Sequence, residues 1–387
     1  MLIEVLKKRT VLEWGLILFA LILPISIAAE TILFLCLAIW IAGSLRRMRE
    51  WWSSIRRNPY LIPVLVFVVI ASLTVFWSVR PGETLHRLHR LLIPLLVLLM
   101  GDLYGRPSSR TFGVLEPIFA FVVGCVLLGL YDLFRIPRAG LDAGAFFSAG
   151  TMRDPQMYMA GLCLLLAIVG SDGRRDWIPM IWAASLLLGA GILLHFKRGV
   201  WFAMTAVLLL LSLITRTWRL PALLLVFAFC ILAVPWTRAP VLQRIDDLSD
   251  LRRDEAGGRY ALWTDVAPRL LPKYPFGMGW SAVKNEDFVE HTGFVQKKLN
   301  HMHNNLLQVT LETGLPGSIA WSIWMITAFV VMARRLDGRE RSMRARLNVG
   351  VLCAFSGLML NGAVEYNFGD TEILMLFSFL MGCSASE

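Results

Sequence analysis

The stretch "NHMHNNLLQVTLETGLPGSIAW", residues 300–321, places the most polar cluster of the chain directly before a hydrophobic segment. The pattern over residues 299–313 fits a helix, Gly314 can take the left-handed position that ends a helix, and Pro316 can open the next one. We therefore predict a short polar helix followed by a separate membrane span that starts near Leu315.

The composition indicates which solvent surrounds this stretch. Of 387 residues, 57% are hydrophobic and 17% are charged, and the mean hydropathy is +0.62. A soluble domain of this size would have too little polar surface. Apolar runs long enough to cross about 30 Å of hydrocarbon predict an all-α polytopic membrane protein with about 12 transmembrane helices. The runs are centred on 11–28, 30–45, 61–78, 88–103, 111–131, 155–170, 177–195, 199–215, 219–235, 315–333, 347–363 and 370–385.

One long polar segment divides these spans. Residues 1–235 hold transmembrane helices 1–9, residues 236–314 form a large loop with short helices, and residues 315–387 hold transmembrane helices 10–12. Aromatic residues in the loop argue against disorder, and a loop of this length in a compact fold is usually functional.

Basic residues predict the orientation. Lys7, Lys8 and Arg9 precede the first apolar run and no small-residue cleavage site follows it, so we expect an uncleaved span with a cytoplasmic N-terminus. With twelve spans, the inside loops carry 20 Lys and Arg, whereas the short outside loops carry 8. This bias predicts that both termini are cytoplasmic and that the long loop is external.

Cysteine placement argues against a disulfide-bonded protein, and the distribution of charge argues against a nucleic-acid-binding protein. The six cysteines all fall within apolar spans, so we expect no disulfides. The net charge of +10 comes from basic residues that flank spans, which favours contact with membrane lipids rather than nucleic acid.

Two histidines lie in the polar cluster. His301 and His303 are two residues apart, about 200° on a helix, so only one of them could face a site. They lack the i, i+4 spacing and a nearby third ligand, which does not favour a metal site. A neutral His303 imidazole could accept a hydroxyl proton near pH 7. The alternative is an interfacial histidine bonded to a backbone carbonyl.

Arginines at the predicted outer face could bind phosphate. Lys197 and Arg198 in "HFKRGVW" lie where two spans are joined by almost no loop. The planar fork of Arg198 suits phosphate oxygens, although both side chains could instead reach lipid headgroups. Arg259 in "GGRYALW" follows two glycines at a predicted helix start, where free N–H groups favour anions. The alternative for Arg259 is packing on Trp263.

Three weaker candidates are external on this topology. Arg87 and Arg90 in "LHRLHR" could bind headgroups or acceptor phosphates. Asp370 in "NFGDTE", together with Glu365, could orient a base or a cation, or it could cap a helix.

Together these features resemble the O-antigen ligase family, within the superfamily shared with O-antigen polymerases and O-linked oligosaccharyltransferases. The resemblance covers nearly the whole chain in topology. Three motifs carry it: "KRGVW" at the end of a hairpin, "GRYALW" in the long loop, and His303-Asn304 followed after nine residues by Gly314-Leu315-Pro316-Gly317.

The resemblance implies a membrane glycosyltransferase with a GT-C-like fold in the bacterial inner membrane, with its active site at the periplasmic face. It implies polysaccharide on undecaprenyl pyrophosphate as donor and a sugar hydroxyl of lipid A-core as acceptor, with no nucleotide sugar, metal or other cofactor. His303 matches the family's proposed general base, and Arg198 and Arg259 match its arginines near the pyrophosphate. Lys197, Arg87, Arg90, Asn304 and Asp370 are further substrate-binding candidates.

Two other functions remain open at this point. A polymerase of the same superfamily would extend the polymer on its own carrier. A flippase or transporter for anionic glycolipid would bury charges in mid-span, whereas here the basic residues cluster near span ends.

Overall fold

The computed structural model describes residues 10–46, 48–105, 113–138, 153–169, 175–195, 197–216, 259, 262–284, 287–288, 301–336 and 342–385. Every regular element in these ranges is helical. The α-helices are α1 Val11–Ile22, α2 Ala28–Arg46, α3 Met48–Ile55, α4 Leu61–Leu73, α5 Pro81–Arg87, α6 Leu96–Tyr104, α7 Leu115–Arg138, α8 Arg153–Ala167, α9 Ile178–Leu194, α10 Arg198–Thr215, α11 Ala267–Leu270, α12 Asn305–Arg334, α13 Met343–Gly362 and α14 Thr371–Ala385. Short 3₁₀ segments cover Thr74–Phe76, Leu88–Leu95, Arg175–Trp177 and Leu271–Lys273, and Leu262–Val266 form a π turn.

The chain is an all-helical polytopic membrane protein. Six stretches of the described residues are long and apolar enough to cross a membrane: Ala28–Arg46, Pro81–Tyr104, Leu115–Arg135, Arg198–Thr215, Asn305–Arg334 and Met343–Gly362. Shorter apolar helices cover Val11–Ile22, Leu61–Phe76, Ile178–Leu194 and Thr371–Ala385. The span at 219–235 and most of the long loop lie outside the described residues, so the count of twelve, the division at 235 and 314, and the orientation stay predictions.

The predicted span at 155–170 is the central helix of the bundle. Residues 154–167 of α8 are buried on every side, and α8 packs against α9 and α13. A helix that is apolar all round belongs in the interior.

The break at Gly314 is confirmed, but the predicted helix start is wrong. Gly314 has φ 70 and ψ −175, so the helical ladder of α12 is interrupted there. The helix begins at Asn305 rather than at residue 299, because the Asn304 side chain accepts a hydrogen bond from the Leu307 N–H (3.0 Å) and caps it. Residues 301–304 form bends ahead of that cap.

The segment 274–281 of the long loop docks on this break. The N–H groups of Met278 and Gly279 donate to the carbonyls of Leu311 (2.8 Å) and Glu312 (3.0 Å). The last carbonyls of a helical turn have no partner within the helix, so the loop supplies donors that the break would leave missing. The loop and the polar start of α12 are thereby held as one unit.

Candidate active site

The connection between α13 and α14, Ala363 to Asp370, is the point at which the predicted site residues meet. At its centre, Glu365 is only 6% exposed. Its Oε1 lies 2.8 Å from Nδ1 of His303, and its Oε2 accepts a hydrogen bond from Nη2 of Arg259 at 3.0 Å. One buried carboxylate therefore joins a candidate base to a candidate phosphate-binding cation.

The ionisation of Glu365 follows from these two partners. Burial alone would raise its pKa, but the hydrogen bond and charge of His303 and the charge of Arg259 outweigh burial and lower the pKa to about 2. Because an ionised carboxylate can only accept, Nδ1 of His303 carries the proton that faces it. In a neutral His303 the other ring nitrogen, Nε2, is then the acceptor.

The two histidines lie together, contrary to the prediction that only one could face a site. Their ring centroids are 4.1 Å apart, and Nδ1 of His301 lies 3.8 Å from the same oxygen of Glu365. The helical spacing rule does not apply, because both residues precede the cap at Asn304. His303 itself has φ 48, a left-handed conformation that is uncommon for residues other than glycine.

His301 differs from His303 in its environment. Burial and then the charge of His303 lower the pKa of His301 to about 4. His301 is therefore neutral at physiological pH, and its ring also packs near Tyr366 with the centroids 5.8 Å apart.

The sequence-based statement that no third metal ligand is near the histidines is also wrong. Ligand atoms of His301, His303 and Glu365 lie within 4.8 Å of one another. Two imidazoles and a carboxylate could hold Zn²⁺. Arg259, however, already places a positive charge on the other oxygen of Glu365, which disfavours a second cation at this point.

A second three-residue group, Asp132, Asp154 and His195, is also compact enough to hold a metal ion. The Tyr158 hydroxyl donates to Asp132 at 2.6 Å, and Arg153 donates to Asp154 at 2.7 Å. These protein donors already compensate both carboxylates.

The "KRGVW" motif reaches the same connection. Lys197 is the N-cap of α10 and Arg198 is its first residue, directly after the end of α9. Gly199 packs against the end of α13 so closely that a Cβ there would lie 2.7 Å from Oδ1 of Asn361 and 3.0 Å from Cγ2 of Val364. This contact places the motif beside the residue that precedes Glu365.

The remaining candidates surround the connection. Nδ2 of Asn304 donates to the Ala363 carbonyl at 2.8 Å, and Nη1 of Arg90 donates to the Gly369 carbonyl at 3.2 Å. Arg87 lies on α5, three residues before Arg90, and is partly buried. Asp370 accepts hydrogen bonds from the N–H groups of Glu372 (3.1 Å) and Ile373 (3.4 Å). It therefore caps the start of α14, which is one of the two roles considered for it from the sequence.

Asp370 is also electrostatically distinct from Glu365. Its burial raises its pKa, and the neighbouring Glu372 raises it further. Within the connection, the strongly ionised carboxylate is therefore Glu365.

Buried amides hold the connection in place. Oδ1 of Asn305 accepts from the N–H groups of Asn367 (3.0 Å) and Phe368 (3.1 Å), and its Nδ2 donates to Oδ1 of Asn367 at 2.7 Å. The Phe368 ring packs among Phe67, Trp321 and Trp324 with centroids 5.7 to 6.0 Å away. The first residue of α12 thus fixes the segment that carries Glu365.

Sequence reasoning missed three features of this site. Glu365 was considered only as a helper of Asp370, and the Tyr366 hydroxyl donates to buried Glu312 at 3.3 Å, a contact that no motif indicates. Trp263 has a further role that the sequence did not indicate: its Nε1 donates to the Met302 carbonyl at 2.8 Å, between the two histidines. The only local signal was an acidic residue in a short polar connection between two apolar spans.

The chain was compared with curated proteins and with models of protein families. No curated protein matches the chain. Residues 183–322 match the family model described as O-antigen ligase. The matched segment contains Arg198, Arg259 and His303. Over these residues the chain is therefore similar to the O-antigen ligase family.

Proposed function

We propose that this protein is an O-antigen ligase, which transfers polysaccharide from undecaprenyl pyrophosphate to a sugar hydroxyl of lipid A-core. The transfer takes place at the periplasmic face of the bacterial inner membrane. The observation that carries the proposal is the bridge of Glu365 between His303 and Arg259, because it joins a base and a cation in one buried unit.

His303 is the general base. Glu365 holds the Nδ1–H, so Nε2 takes the proton of the acceptor hydroxyl as its oxygen attacks the anomeric carbon of the donor. A glycosidic bond forms, and the bond from the anomeric carbon to the pyrophosphate oxygen breaks. Undecaprenyl pyrophosphate leaves with the bonding electrons. A single displacement from the opposite face inverts the anomeric configuration.

Arg259 and Arg198 stabilise the charge that develops on the leaving pyrophosphate. A guanidinium has five N–H donors, and Glu365 uses only one nitrogen of Arg259. Arg198 opens an 18-residue helix whose N-terminus has no side-chain cap, so the helix dipole adds to its positive charge. Two arginines can supply this stabilisation without a metal, a nucleotide sugar or another cofactor.

The other candidates have supporting parts in this mechanism. Arg87, Arg90 and Lys197 contact substrate phosphates. Asn304 binds substrate while it caps α12, and Asp370 orders the start of α14 close to the substrate. Both substrates keep their lipid tails in the bilayer.

A reconstituted reaction tests the proposal. The purified chain in liposomes is given lipid-linked polysaccharide, with and without lipid A-core, in the presence of EDTA. We expect polymer on lipid A-core, and transfer lowered by about 10²- to 10⁴-fold with His303→Ala. Growth of the polymer on undecaprenyl pyrophosphate would instead show a polymerase, and movement of donor across the bilayer without a new covalent product would show a flippase. Loss of transfer in EDTA that added Mg²⁺ restores would refute the metal-independent mechanism.

A further inference from the structure

A cavity lies at the opposite end of the bundle from Glu365. Helix α14 starts beside Asp370 and runs for 15 residues, about 22 Å. Near its far end, the Ser384 hydroxyl lies 2.6 Å from the Tyr60 hydroxyl, and α4 begins at the next residue. The cavity at this end has a volume of about 280 Å³ and is lined by α2, α3, α4, the Leu88–Leu95 segment and α6, among them Trp40, Trp51, Trp52, Leu61, Leu65 and Leu98.

The polar groups of the cavity wall are partly engaged by the protein itself. Nε1 of Trp40 donates to Oδ2 of Asp102 at 3.0 Å, and the Ser44 hydroxyl donates to the Trp40 carbonyl at 2.7 Å. The rings of Trp40 and Trp51 pack with their centroids 5.8 Å apart. The space that remains is apolar and suits a hydrocarbon chain.

Positive charges flank the same cavity. Met48 and Ile55, the first and last residues of α3, line it, and they are followed in sequence by Arg49 and Arg56. Arg46 and Arg57 extend the basic group on either side. All four arginines are exposed, and within the described residues none of their side chains has a hydrogen bond or ion pair.

Helix α3 has the character of an interfacial helix. It carries Arg49 and Ser53 beside four large apolar residues, of which Trp52 is 54% exposed and Met48 is 57% exposed. Tryptophan and arginine at such a position are typical of the boundary between hydrocarbon and headgroups. A ligand that fits here has an acyl chain for the cavity and a negative charge for the arginines.

We propose that this cavity binds an anionic phospholipid of the leaflet away from the candidate active site. One acyl chain occupies the space between Trp40, Trp51 and Leu65, and the headgroup phosphate contacts the arginines at the ends of α3. The site is independent of the proposed transfer reaction, because it lies at the other end of the bundle.

Binding can be measured by native mass spectrometry of the purified full chain with phosphatidylglycerol or phosphatidylcholine. We expect phosphatidylglycerol to be retained selectively. Leu65→Trp fills the cavity and should lower retention tenfold or more. Val66→Trp, on the same helix and similarly exposed but outside the cavity lining, should leave retention unchanged.

Charge is tested separately. Arg49→Gln with Arg56→Gln should weaken phosphatidylglycerol binding by about 25-fold, since each basic residue near an anionic surface contributes roughly fivefold. Arg216→Gln with Arg269→Gln removes the same charge from exposed sites elsewhere and should have little effect. Equal retention of the two lipids, unchanged retention in the double α3 variant, or displacement of phosphatidylglycerol by equimolar undecaprenyl phosphate would overturn the proposal. The arginine variants keep the test decisive even if Leu65→Trp does not fold.

Discussion

At the scale of single residues, the two histidines beside Glu365 are not equivalent. His303 makes the short contact of 2.8 Å with the carboxylate, whereas His301 lies 3.8 Å from it. Nδ1 of His301 accepts a hydrogen bond from the His303 backbone N–H at 3.3 Å, so a neutral His301 carries its proton on Nε2. A neutral His303 carries its proton on Nδ1, which faces Glu365, and its Nε2 is the acceptor.

Replacement of each histidine tests this difference. His303→Ala should lower kcat for polysaccharide transfer by about 10²- to 10⁴-fold, the usual contribution of a general base. His301→Ala should lower it less than about tenfold by the same comparison. Steady-state kinetics of the two purified variants measure both effects. Equal losses, or a larger loss for His301→Ala, would move the role of base to His301.

The lowered pKa of Glu365 predicts how stability depends on pH. A carboxyl group with a folded pKa of about 2 and an ordinary value near 4.5 stabilises the folded state above pH 4.5, and this contribution is lost as the pH falls towards 2. The difference in Tm between the parent and Glu365→Gln should therefore shrink as the pH falls below about 4.5 towards 2.

Glu83→Gln is the control for this titration. Glu83 pairs with Lys284, but its side chain is 43% exposed, and exposed pairs contribute little. Its Tm difference should be small throughout. A Glu365→Gln difference that persists unchanged to pH 2 would contradict the ionised bridge.

At the scale of elements, the site depends on a helix that is interrupted. Gly314 has positive φ, and a Cβ at this position would lie 2.4 Å from backbone atoms of Phe276. The close approach lets the loop segment 274–281 bond to the free carbonyls before the break. A continuous helix would satisfy those carbonyls itself and would leave the loop without its partner.

Gly314→Ala should therefore destabilise the protein by about 2 kcal/mol or more, since it adds both backbone strain and a clash. Gly43→Ala is the matched control, because Gly43 lies in helix α2 with nothing within 4 Å of an added Cβ. That change should be neutral or stabilise by up to about 1 kcal/mol. Thermal unfolding in detergent compares them, and equal effects would contradict the docking role of Gly314.

At the scale of the whole molecule, the bundle has two chemically different ends. One end holds Glu365, His303 and Arg259, and the other holds the exposed arginines around α3. The basic-residue bias predicts that the arginine end faces the cytoplasm and that the end with Glu365 faces outward.

Labelling of introduced cysteines tests this orientation. The cysteines within the described residues are buried, so they should react slowly with a membrane-impermeant maleimide. Gly82→Cys lies at the end with Glu365, where an added side chain meets nothing within 4 Å, and it should react in intact spheroplasts. Arg57→Cys, at the other end, should react only after the membrane is disrupted. The reverse pattern would invert the topology.

Much of the framework follows from local patterns in the sequence. The length of the apolar runs predicts the spans, and the structure has a helix at each predicted span within its described residues. The hairpin before Arg198 and the break at Gly314 were also predictable, because glycine, proline and short polar connections act on their immediate neighbours. The start of α12 was not predicted correctly. The helical pattern continues through residues 301–304, but the side chain of Asn304 caps the helix and so leaves these residues outside it.

The sequence alone determined a membrane-embedded helical bundle, a broken helix behind a polar cluster, and the types of residue able to act as base and phosphate-binding cations. Tertiary structure decided which of these residues work together. Glu365 lies 62 residues from His303 and 106 from Arg259, and no local pattern relates positions so far apart. The pairing arises because Asn305 and the rings around Phe368 hold the connection after α13 against the start of α12. There the carboxylate of Glu365 is buried, and a buried charge is costly unless it is paired with partners such as His303 and Arg259.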